Sequence, residues 1–496
     1  MRKLLNTHYL ILTAIFFLIF IFRFPSLFEP FWYGDEGIFA AVGRNLNQGG
    51  VLYQTAWDNK PPMIYLTYQI IFKFFGVSMF WLRLTTIIFV LATACVIYEI
   101  TKAILSEKRA LVATFIFGFL TSLRLIEGNL ALTEIFMILP ITLAMFLVIY
   151  RKFDYFSLFG AGSLFAIASL YKQVGALEAA ALGIFLFISS RTFWEFVKRG
   201  IALGIGFIIP YLLTILYFAP KNLLGDYIFA AYTYYRIYLG ESPKYALLIN
   251  ILKFLPIVSA AVYGIFKKFK SETHDVSSNK QVFHLILLWT AFSFLGSYFS
   301  GRTYGHYMVQ AVPALSILVA SISLKPKLRF IQVGFALSFF IPLVFLTKIL
   351  FTDFLTAGPL NQLSYWRNFI DFTFGNKNIN AYNDFFDRNV NSIMALSDFL
   401  YINRANNKSV YIWGDYPWLY AISDLKNPSR YVTSFHVFGV PEGPEEVAKA
   451  LYSMPPEYII KPESSIGYFG QLEKLLDDNY TFVAQIENSK VWKKAN

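Results

Sequence analysis

A series of apolar runs, about eleven in number, limits the folds open to this chain, because most hold close to the roughly 20 residues that a membrane-spanning helix needs. Charged residues make up only 15% of the 496 residues, against about 25% in an average soluble protein. We therefore predict a mainly α, polytopic membrane protein with spans near residues 8–23, 78–103, 109–124, 131–150, 154–171, 174–190, 200–219, 246–266, 282–299, 306–323 and 328–350.

Basic residues are concentrated on alternate connections between these runs, such as Arg2 with Lys3 and, later, Arg151. Enrichment of Lys and Arg marks the cytoplasmic side of a membrane protein. We predict a multi-pass protein of the cell membrane, plasma or inner, with a cytoplasmic N-terminus. The first loop, residues 24–77, and the chain after about residue 351 are then extracytoplasmic. Because membrane topology accounts for the basic excess in the formal net charge of +12, no nucleic-acid partner is expected.

Beyond the last apolar run the character of the chain changes, and acidic residues outnumber basic ones. Here SVYIWG (409–414) and SRYVTSF (429–435) predict strands, and the segment opening PEEVAKAL predicts a helix that ends before a short strand. Alternating strands and helices predict a compact α/β module. We therefore divide the chain into a transmembrane domain, residues 1–350, and a small soluble extracytoplasmic α/β domain, residues 351–496. No nucleotide or redox cofactor is expected, since the soluble part contains no glycine-rich phosphate motif.

The first external loop holds an unusual set of charges for this chain: Asp35, Glu36, Asp58 and Lys60. Asp35 and Glu36 precede apolar residues at helical spacing, which predicts a short amphipathic helix at the membrane surface. The helix dipole favours ionised carboxylates at that end. A second amphipathic stretch follows the KPP sequence and carries Tyr65 on its polar side. Two surface helices are thus predicted in this loop.

These charges also have simpler structural interpretations. Asp35 could be a helix cap, which is a common role for Asp. Asp58 and Lys60 could form an exposed ion pair that contributes almost nothing to stability. The tyrosine-rich segment 220–245 is a separate feature, for which we hypothesise a mobile flap over a substrate groove, because long external loops are often functional.

A further group of ionisable residues lies at or near predicted span ends on the external side: Arg83, Glu134, Lys172, Arg302 and His306. Ionisable groups at membrane depth are unfavourable and usually line a functional cavity. Snorkelling at helix ends explains Arg83 and Lys172 taken singly. It does not explain Glu134, or Arg302 together with His306.

Several of these segments carry a family resemblance. YGDEGIFA and WDNKPPMIYL open and close the first external loop, NLALTEIFMILP opens the fourth span, and SLYKQVGAL and GRTYGHYMVQAVPAL lie further on. In these pieces, and in YIWGDYPWLYAISDLKNPSRY and MPPEYIIKP of the soluble part, the chain resembles the large GT-C membrane glycosyltransferases that use polyprenyl-phosphate sugars. The group includes protein mannosyltransferase, aminoarabinose transferase and rhizobial galacturonosyltransferase relatives.

The resemblance implies an enzyme that moves a sugar, with inversion, from a polyprenyl-phosphate carrier to a lipid, glycan or protein acceptor. It implies that Asp35 is the general base and that Glu36 orients the site or binds a metal. The expected ligands of the donor phosphate are Lys60, Arg83, Lys172, Arg302 and His306, and the further substrate-side residues are Asp58, Glu134 and Tyr65.

Metal dependence stays open at this stage. Some relatives bind a divalent ion through a carboxylate just before the KPP lysine, whereas this chain has Asn59 there and Asp58 one position earlier. Asp58, Glu36 and His306 are the candidate ligands, although their spacing is not a metal signature.

Two other function classes also stay open: a transporter or flippase of lipid-linked substrates, and a non-catalytic assembly protein. The oligomeric state is not indicated.

Overall fold

The computed structural model describes residues 2–238, 246–270, 279–302, 304–322, 330–350, 359, 361–463 and 467–495. Its chain divides into two compact units. The first unit comprises Met1–Pro25, Arg83–Tyr217 and Glu241–Gln362. The second unit comprises Ser26–Leu82, Phe218–Gly240 and Leu363–Asn496, so the first external loop and the C-terminal segment belong to one unit.

The structure is predominantly helical. In chain order, the helices are α1 (Arg2–Arg23), α2 (Gly34–Asn47), α3 (Met63–Phe75), α4 (Met79–Ile104), α5 (Glu107–Thr121), α6 (Thr133–Tyr150), α7 (Tyr155–Tyr171), α8 (Leu177–Ser189), α9 (Phe193–Phe218), α10 (Leu224–Ile228), α11 (Tyr235–Tyr238), α12 (Ala246–Lys270), α13 (Asn279–Tyr298), α14 (Val312–Ser321), α15 (Phe330–Leu350), α16 (Gln362–Thr373), α17 (Ile379–Asp384), α18 (Asn389–Ile402), α19 (Pro417–Ile422), α20 (Ser434–Gly439), α21 (Gly443–Ser453) and α22 (Gly470–Asn479). The strands are β1 (Val410–Ile412), β2 (Tyr458–Pro462), β3 (Tyr480–Ile486) and β4 (Ser489–Lys494).

Each predicted span coincides with a helix: α1, α4 to α9 and α12 to α15. Among the described residues, six helical segments are long and apolar enough to cross a membrane. They are Thr7–Phe28, Met79–Ile104, Thr133–Tyr150, Phe193–Lys221, Leu247–Phe266 and Gln281–Tyr298. The predicted mainly α, multi-pass fold is therefore confirmed. The predicted domain boundary at 350/351 adjoins residues 351–358, which lie outside the described part.

Within the first unit, a glycine permits a close helix approach of the kind that membrane helices favour. A Cβ on Gly162 of α7 would lie 2.1 Å from Leu203 O of α9. Beside it, the Ser163 hydroxyl donates to Gly206 O at 3.0 Å. Small residues therefore bring these two helices into backbone contact.

Within the second unit, the two predicted surface helices exist as α2 and α3 and pack against each other. Phe39 of α2 meets Tyr65 and Tyr68 of α3 edge to face, with ring centroids 6.0 Å and 5.7 Å apart. Tyr65 is therefore buried in this contact. The opposite face of α3 exposes an apolar ridge of Leu66, Ile70 and Phe74, as expected for a helix lying at a membrane surface.

The C-terminal segment folds around a four-stranded sheet in the order β1-β2-β4-β3. β1 pairs with β2 in parallel, and β4 pairs antiparallel with β2 and β3. The predicted strands at β1 and β2 are confirmed, whereas the strand predicted over 429–435 is wrong. Tyr431 makes only an isolated bridge to Trp57, and the Thr433 hydroxyl accepts a hydrogen bond from His436 N and so caps α20.

Candidate active site

Asp35 lies in the first turn of α2, and its side chain is partly exposed. The N-cap of this helix is Tyr33, and no side chain makes the cap hydrogen bond. The capping interpretation of Asp35 is therefore wrong. Within the part of the chain that the structure describes, the Asp35 carboxylate forms no hydrogen bond and no ion pair. The Asp35 carboxylate is therefore accessible at the N-terminus of α2, which is the positive end of the helix dipole.

The start of α2 is held by the C-terminal segment of the same unit. Trp418 Nε1 donates to Tyr33 O at 3.0 Å, and the Trp418 ring lies 4.9 Å from that of Phe31. Gly37 makes this approach possible, because a Cβ at that position would lie 2.8 Å from Trp418 Cδ1 and 2.9 Å from Pro417 Cγ. α19 therefore fixes the turn that carries Asp35.

We expect Gly37→Ala to destabilise the second unit by about 1 to 3 kcal/mol, because the added methyl group overpacks a contact with two rigid rings. The matched control is Gly34→Ala in the same turn, where a Cβ meets nothing within 4 Å and helix propensity favours Ala. The thermal unfolding midpoint in detergent measures both. A Gly37→Ala protein as stable as the Gly34→Ala protein would show that α19 does not hold α2.

Asp58 is buried, with 2% of its surface exposed, so it is not half of an exposed ion pair. The Tyr65 hydroxyl donates to Asp58 Oδ2 at 2.7 Å. On the other side, His436 Nε2 lies 3.4 Å from Asp58 Oδ1. Both carboxylate oxygens therefore have partners, one from the first loop and one from the C-terminal segment.

Lys60 follows directly, with a well-fixed backbone and a partly exposed side chain. Its carbonyl accepts from the Tyr53 hydroxyl at 2.7 Å, and its N–H donates to the Tyr65 hydroxyl oxygen at 3.1 Å. Its ammonium donates to Asn59 Oδ1 at 2.8 Å. The Asn59 side chain thus orients the lysine that follows it.

His436 is a residue that the sequence patterns did not single out. Burial lowers the pKa of its imidazole, the Asp58 carboxylate opposes this shift, Lys60 reinforces it and Asp35 opposes it. The charges of the three first-loop residues therefore all act on one imidazole. Its ring also packs edge to face against Trp57, with centroids 5.2 Å apart. The only signal in the sequence was that His436 is one of just five histidines and lies in a segment predicted to be external.

The first unit contains a separate polar cluster. Lys172 Nζ donates to Glu134 Oε1 at 2.5 Å, and Thr133 Oγ1 donates to Glu134 Oε2 at 2.8 Å. The lysine also lies 3.5 Å from the centre of the Tyr307 ring, a cation–π geometry. Glu134 is 1% exposed. This carboxylate is therefore neutralised by a lysine 38 positions away in the chain.

His306 and Glu127 form the second pair of this unit, with His306 Nδ1 2.6 Å from Glu127 Oε2. The backbone N–H of His306 donates to the same Glu127 oxygen at 3.2 Å. Of the other predicted phosphate ligands, Arg83 is fully buried in α4, and Arg302 is partly exposed before the 3₁₀ turn Gly305–Ala311.

The structure thus brings the predicted residues together in two groups, one in each unit. In the second unit, the Tyr65 hydroxyl contacts both Asp58 and Lys60, and the same unit holds Asp35 and buried Glu36. Glu134 and Lys172 are in contact in the first unit, which also holds Arg83, Arg302 and His306. Across the described residues, no three His, Cys, Asp or Glu side chains are arranged to hold a metal ion.

The tyrosine-rich segment, described as far as residue 238, packs on the first loop of its own unit. Tyr227 stacks on Tyr53 at 5.8 Å, and Tyr234 meets Trp57 edge to face at 5.1 Å. Arg430 adds a polar link, with Nη1 2.9 Å from Asp226 Oδ1. The flap hypothesis concerns residues 220–245, of which 239–245 lie outside the described part.

Comparisons with known proteins agree with this architecture. A family model described as dolichyl-phosphate-mannose-protein mannosyltransferase matches residues 59–218. A protein of Aquifex aeolicus (strain VF5), described as uncharacterized, is 23% identical over 317 residues, or 59% of this chain and 60% of that protein. The match thus spans less than two thirds of that relative's length.

Among solved structures, ArnT from Cupriavidus metallidurans bound to undecaprenyl phosphate is similar, with a TM-score of 0.57 and 15% identity over 98% of this chain and 97% of ArnT. The apo state of ArnT gives a TM-score of 0.56 at 14% identity over 98% of both chains. The predicted GT-C fold is confirmed by this likeness. The likeness to ArnT concerns the fold, and the family-model match adds residues 59–218.

Proposed function

We propose that this protein transfers a sugar from a polyprenyl-phosphate donor to an acceptor on the extracytoplasmic side of the cell membrane. The observation that carries the proposal is the Asp35 carboxylate, partly exposed at a helix N-terminus and without a hydrogen-bond or ion-pair partner among the described residues. A general base needs this accessibility, because it must come within hydrogen-bond reach of the proton that it removes. The likeness to ArnT, which was solved with undecaprenyl phosphate, supports this donor class.

In the proposed reaction, Asp35 removes the proton of the acceptor hydroxyl while that oxygen attacks the anomeric carbon. The new glycosidic bond forms as the bond between the anomeric carbon and the phosphate oxygen breaks, with inversion at carbon. The electron pair of the broken bond leaves with the polyprenyl phosphate. The leaving group is already a weak base, so the protein has to stabilise its negative charge rather than protonate it.

Lys60 is the cation that we assign first to the donor phosphate, because its carbonyl and N–H are both fixed by tyrosine hydroxyls while its side chain stays partly exposed. Glu36, fully buried beside Asp35, is assigned to orienting α2. Arg302, Arg83, Lys172 and His306 are kept as candidate phosphate ligands on the sequence resemblance. Asp58, Glu134 and Tyr65 are assigned to holding the lysines in place.

We expect Lys60→Met to lower kcat/KM for the donor by about 10- to 150-fold, the equivalent of one charge-assisted hydrogen bond. Lys73→Met on α3 is the matched control, because Lys73 is an exposed lysine of the same unit. Initial rates at varied donor concentration measure both variants. Equal rates for the two proteins would remove Lys60 from the phosphate site.

The decisive experiment is an assay of the purified full chain in lipid vesicles with a radiolabelled polyprenyl-phosphate sugar and a panel of lipid, glycan and protein acceptors. We expect label to move to an acceptor and free polyprenyl phosphate to accumulate in equal amount. A flippase instead predicts movement of intact donor between leaflets without new glycosidic bonds. That result, with no transfer to any acceptor, would replace the proposal.

A further inference from the structure

An open cleft of about 530 Å³ lies in the same unit as Asp35, between the start of the first loop and the C-terminal segment. This volume is in the range of small-molecule sites. We propose that the cleft binds a saccharide without acidic groups, neutral or amino-substituted, as a subsite for a glycan acceptor. The inference rests on the proposed sugar transfer and deepens it, because it selects a glycan from among the acceptors that the sequence left open.

One wall of the cleft is aromatic and held rigidly. Phe372 stacks on Tyr382 with ring centroids 4.4 Å apart, and the Tyr382 hydroxyl donates to Phe28 O at 3.1 Å. Phe28 lines the cleft and is 48% exposed. Tyr382 itself is buried, so the exposed Phe28 ring provides the apolar face on which the C–H face of a sugar ring can pack at little loss of side-chain entropy.

The polar part of the cleft lining consists of side-chain amides and carboxylates. Asn383 Nδ2 donates to Asn391 Oδ1 at 3.0 Å, which orders both amides. Asp398 and Glu487 also line the cleft, are exposed, and make no side-chain hydrogen bond or ion pair with any other described residue. Ordered amides and unpaired carboxylates provide the acceptors and donors that sugar hydroxyl and amino groups need.

Charge decides which saccharide fits. Two carboxylates line the cleft, and among the described residues no Lys or Arg does so. A phosphate or uronate group would therefore meet repulsion without a compensating cation. The same argument excludes an anionic lipid headgroup as the occupant, while an ammonium group gains two charge-assisted partners.

The cleft is also close to the proposed base. Phe31 lines it and packs on Trp418, and Trp418 donates to Tyr33 O at the N-cap of α2. Phe31 and Asp35 are four residues apart, so their Cα atoms are separated by at most about 14 Å. A short oligosaccharide bound in the cleft can therefore extend toward Asp35.

The test is calorimetric titration of the full chain in nanodiscs with oligomers of N-acetylglucosamine, glucosamine and galacturonic acid, without donor. We expect the neutral and amino oligomers to bind and the acidic oligomer to bind at least about 10-fold more weakly. Asp398→Asn with Glu487→Gln should weaken glucosamine oligomers by about 10-fold, and Phe28→Ala should weaken the neutral oligomers by about 2- to 10-fold. Asp477→Asn, an exposed acid on α22, should leave binding unchanged.

Absence of binding by all three oligomers overturns the inference, as does binding that the cleft variants leave intact. Binding of a lysine-rich peptide in place of the saccharides would reassign the cleft to a cationic protein. Because these titrations contain no donor, they are independent of turnover. Saccharide binding without transfer would therefore defeat the proposed function alone, and transfer without saccharide binding would defeat this inference alone.

Discussion

Asp35→Asn is expected to lower kcat for sugar transfer by about 100- to 10,000-fold, the usual contribution of a general base. Asn keeps the size and shape of the side chain but cannot accept the acceptor proton. The Asp35 carboxylate makes no hydrogen bond or ion pair with a described residue, so no structural contact is lost with its charge. Donor affinity should therefore stay within about twofold of the wild type, because the base acts on the acceptor. Single-turnover transfer and equilibrium binding of labelled donor measure the two quantities separately.

The matched control is Asp477→Asn, which removes an exposed carboxylate from the same unit and should leave both quantities unchanged. Asp35→Glu adds a second comparison, because it restores the carboxylate but displaces it by one methylene. We expect partial recovery of kcat there. If Asp35→Asn transfers sugar at the wild-type rate, or loses donor binding to the same extent as turnover, Asp35 is not the base.

The helices could be predicted from the sequence because their signals are local. Runs of apolar residues predicted the spans, and the helical spacing of apolar residues after Asp35 and after the KPP sequence predicted α2 and α3. The strand assigned to 429–435 failed for the opposite reason. Its apolar residues suit a strand, but Tyr431 finds only the isolated bridge to Trp57, and Thr433 caps a helix instead.

The site was predictable in part. The basic-residue pattern predicted that the charges share one side of the membrane, but specific partners depend on packing between distant segments. Nothing near Asp58 in the sequence indicates His436, and nothing near Gly37 indicates Trp418. The Asp58–Lys60 ion pair was a reasonable local interpretation that failed because the C-terminal segment buries Asp58.

Packing between distant segments also joins Glu134 to Lys172, and we expect the stability of the first unit to depend strongly on this pair. Their side chains are 2% and 11% exposed, so removing the lysine leaves a buried carboxylate without its cation. We expect Lys172→Met to destabilise the first unit by about 3 to 5 kcal/mol, the usual effect of breaking a buried pair. Loss of the contact with the Tyr307 ring adds to this effect. Denaturant unfolding in mixed micelles measures the change.

The double variant Glu134→Gln with Lys172→Met distinguishes an uncompensated charge from lost packing. Because it removes both charges, it should recover most of the stability that Lys172→Met loses. Arg151→Met is the matched control: its partner Asp154 lies 3.0 Å away, but the two side chains are 54% and 39% exposed. Water already solvates that pair, so we expect a loss of at most about 1 kcal/mol. If Lys172→Met lowered the free energy of unfolding no more than Arg151→Met does, the Lys172–Glu134 pair would not stabilise the fold. Its role would then be chemical rather than structural.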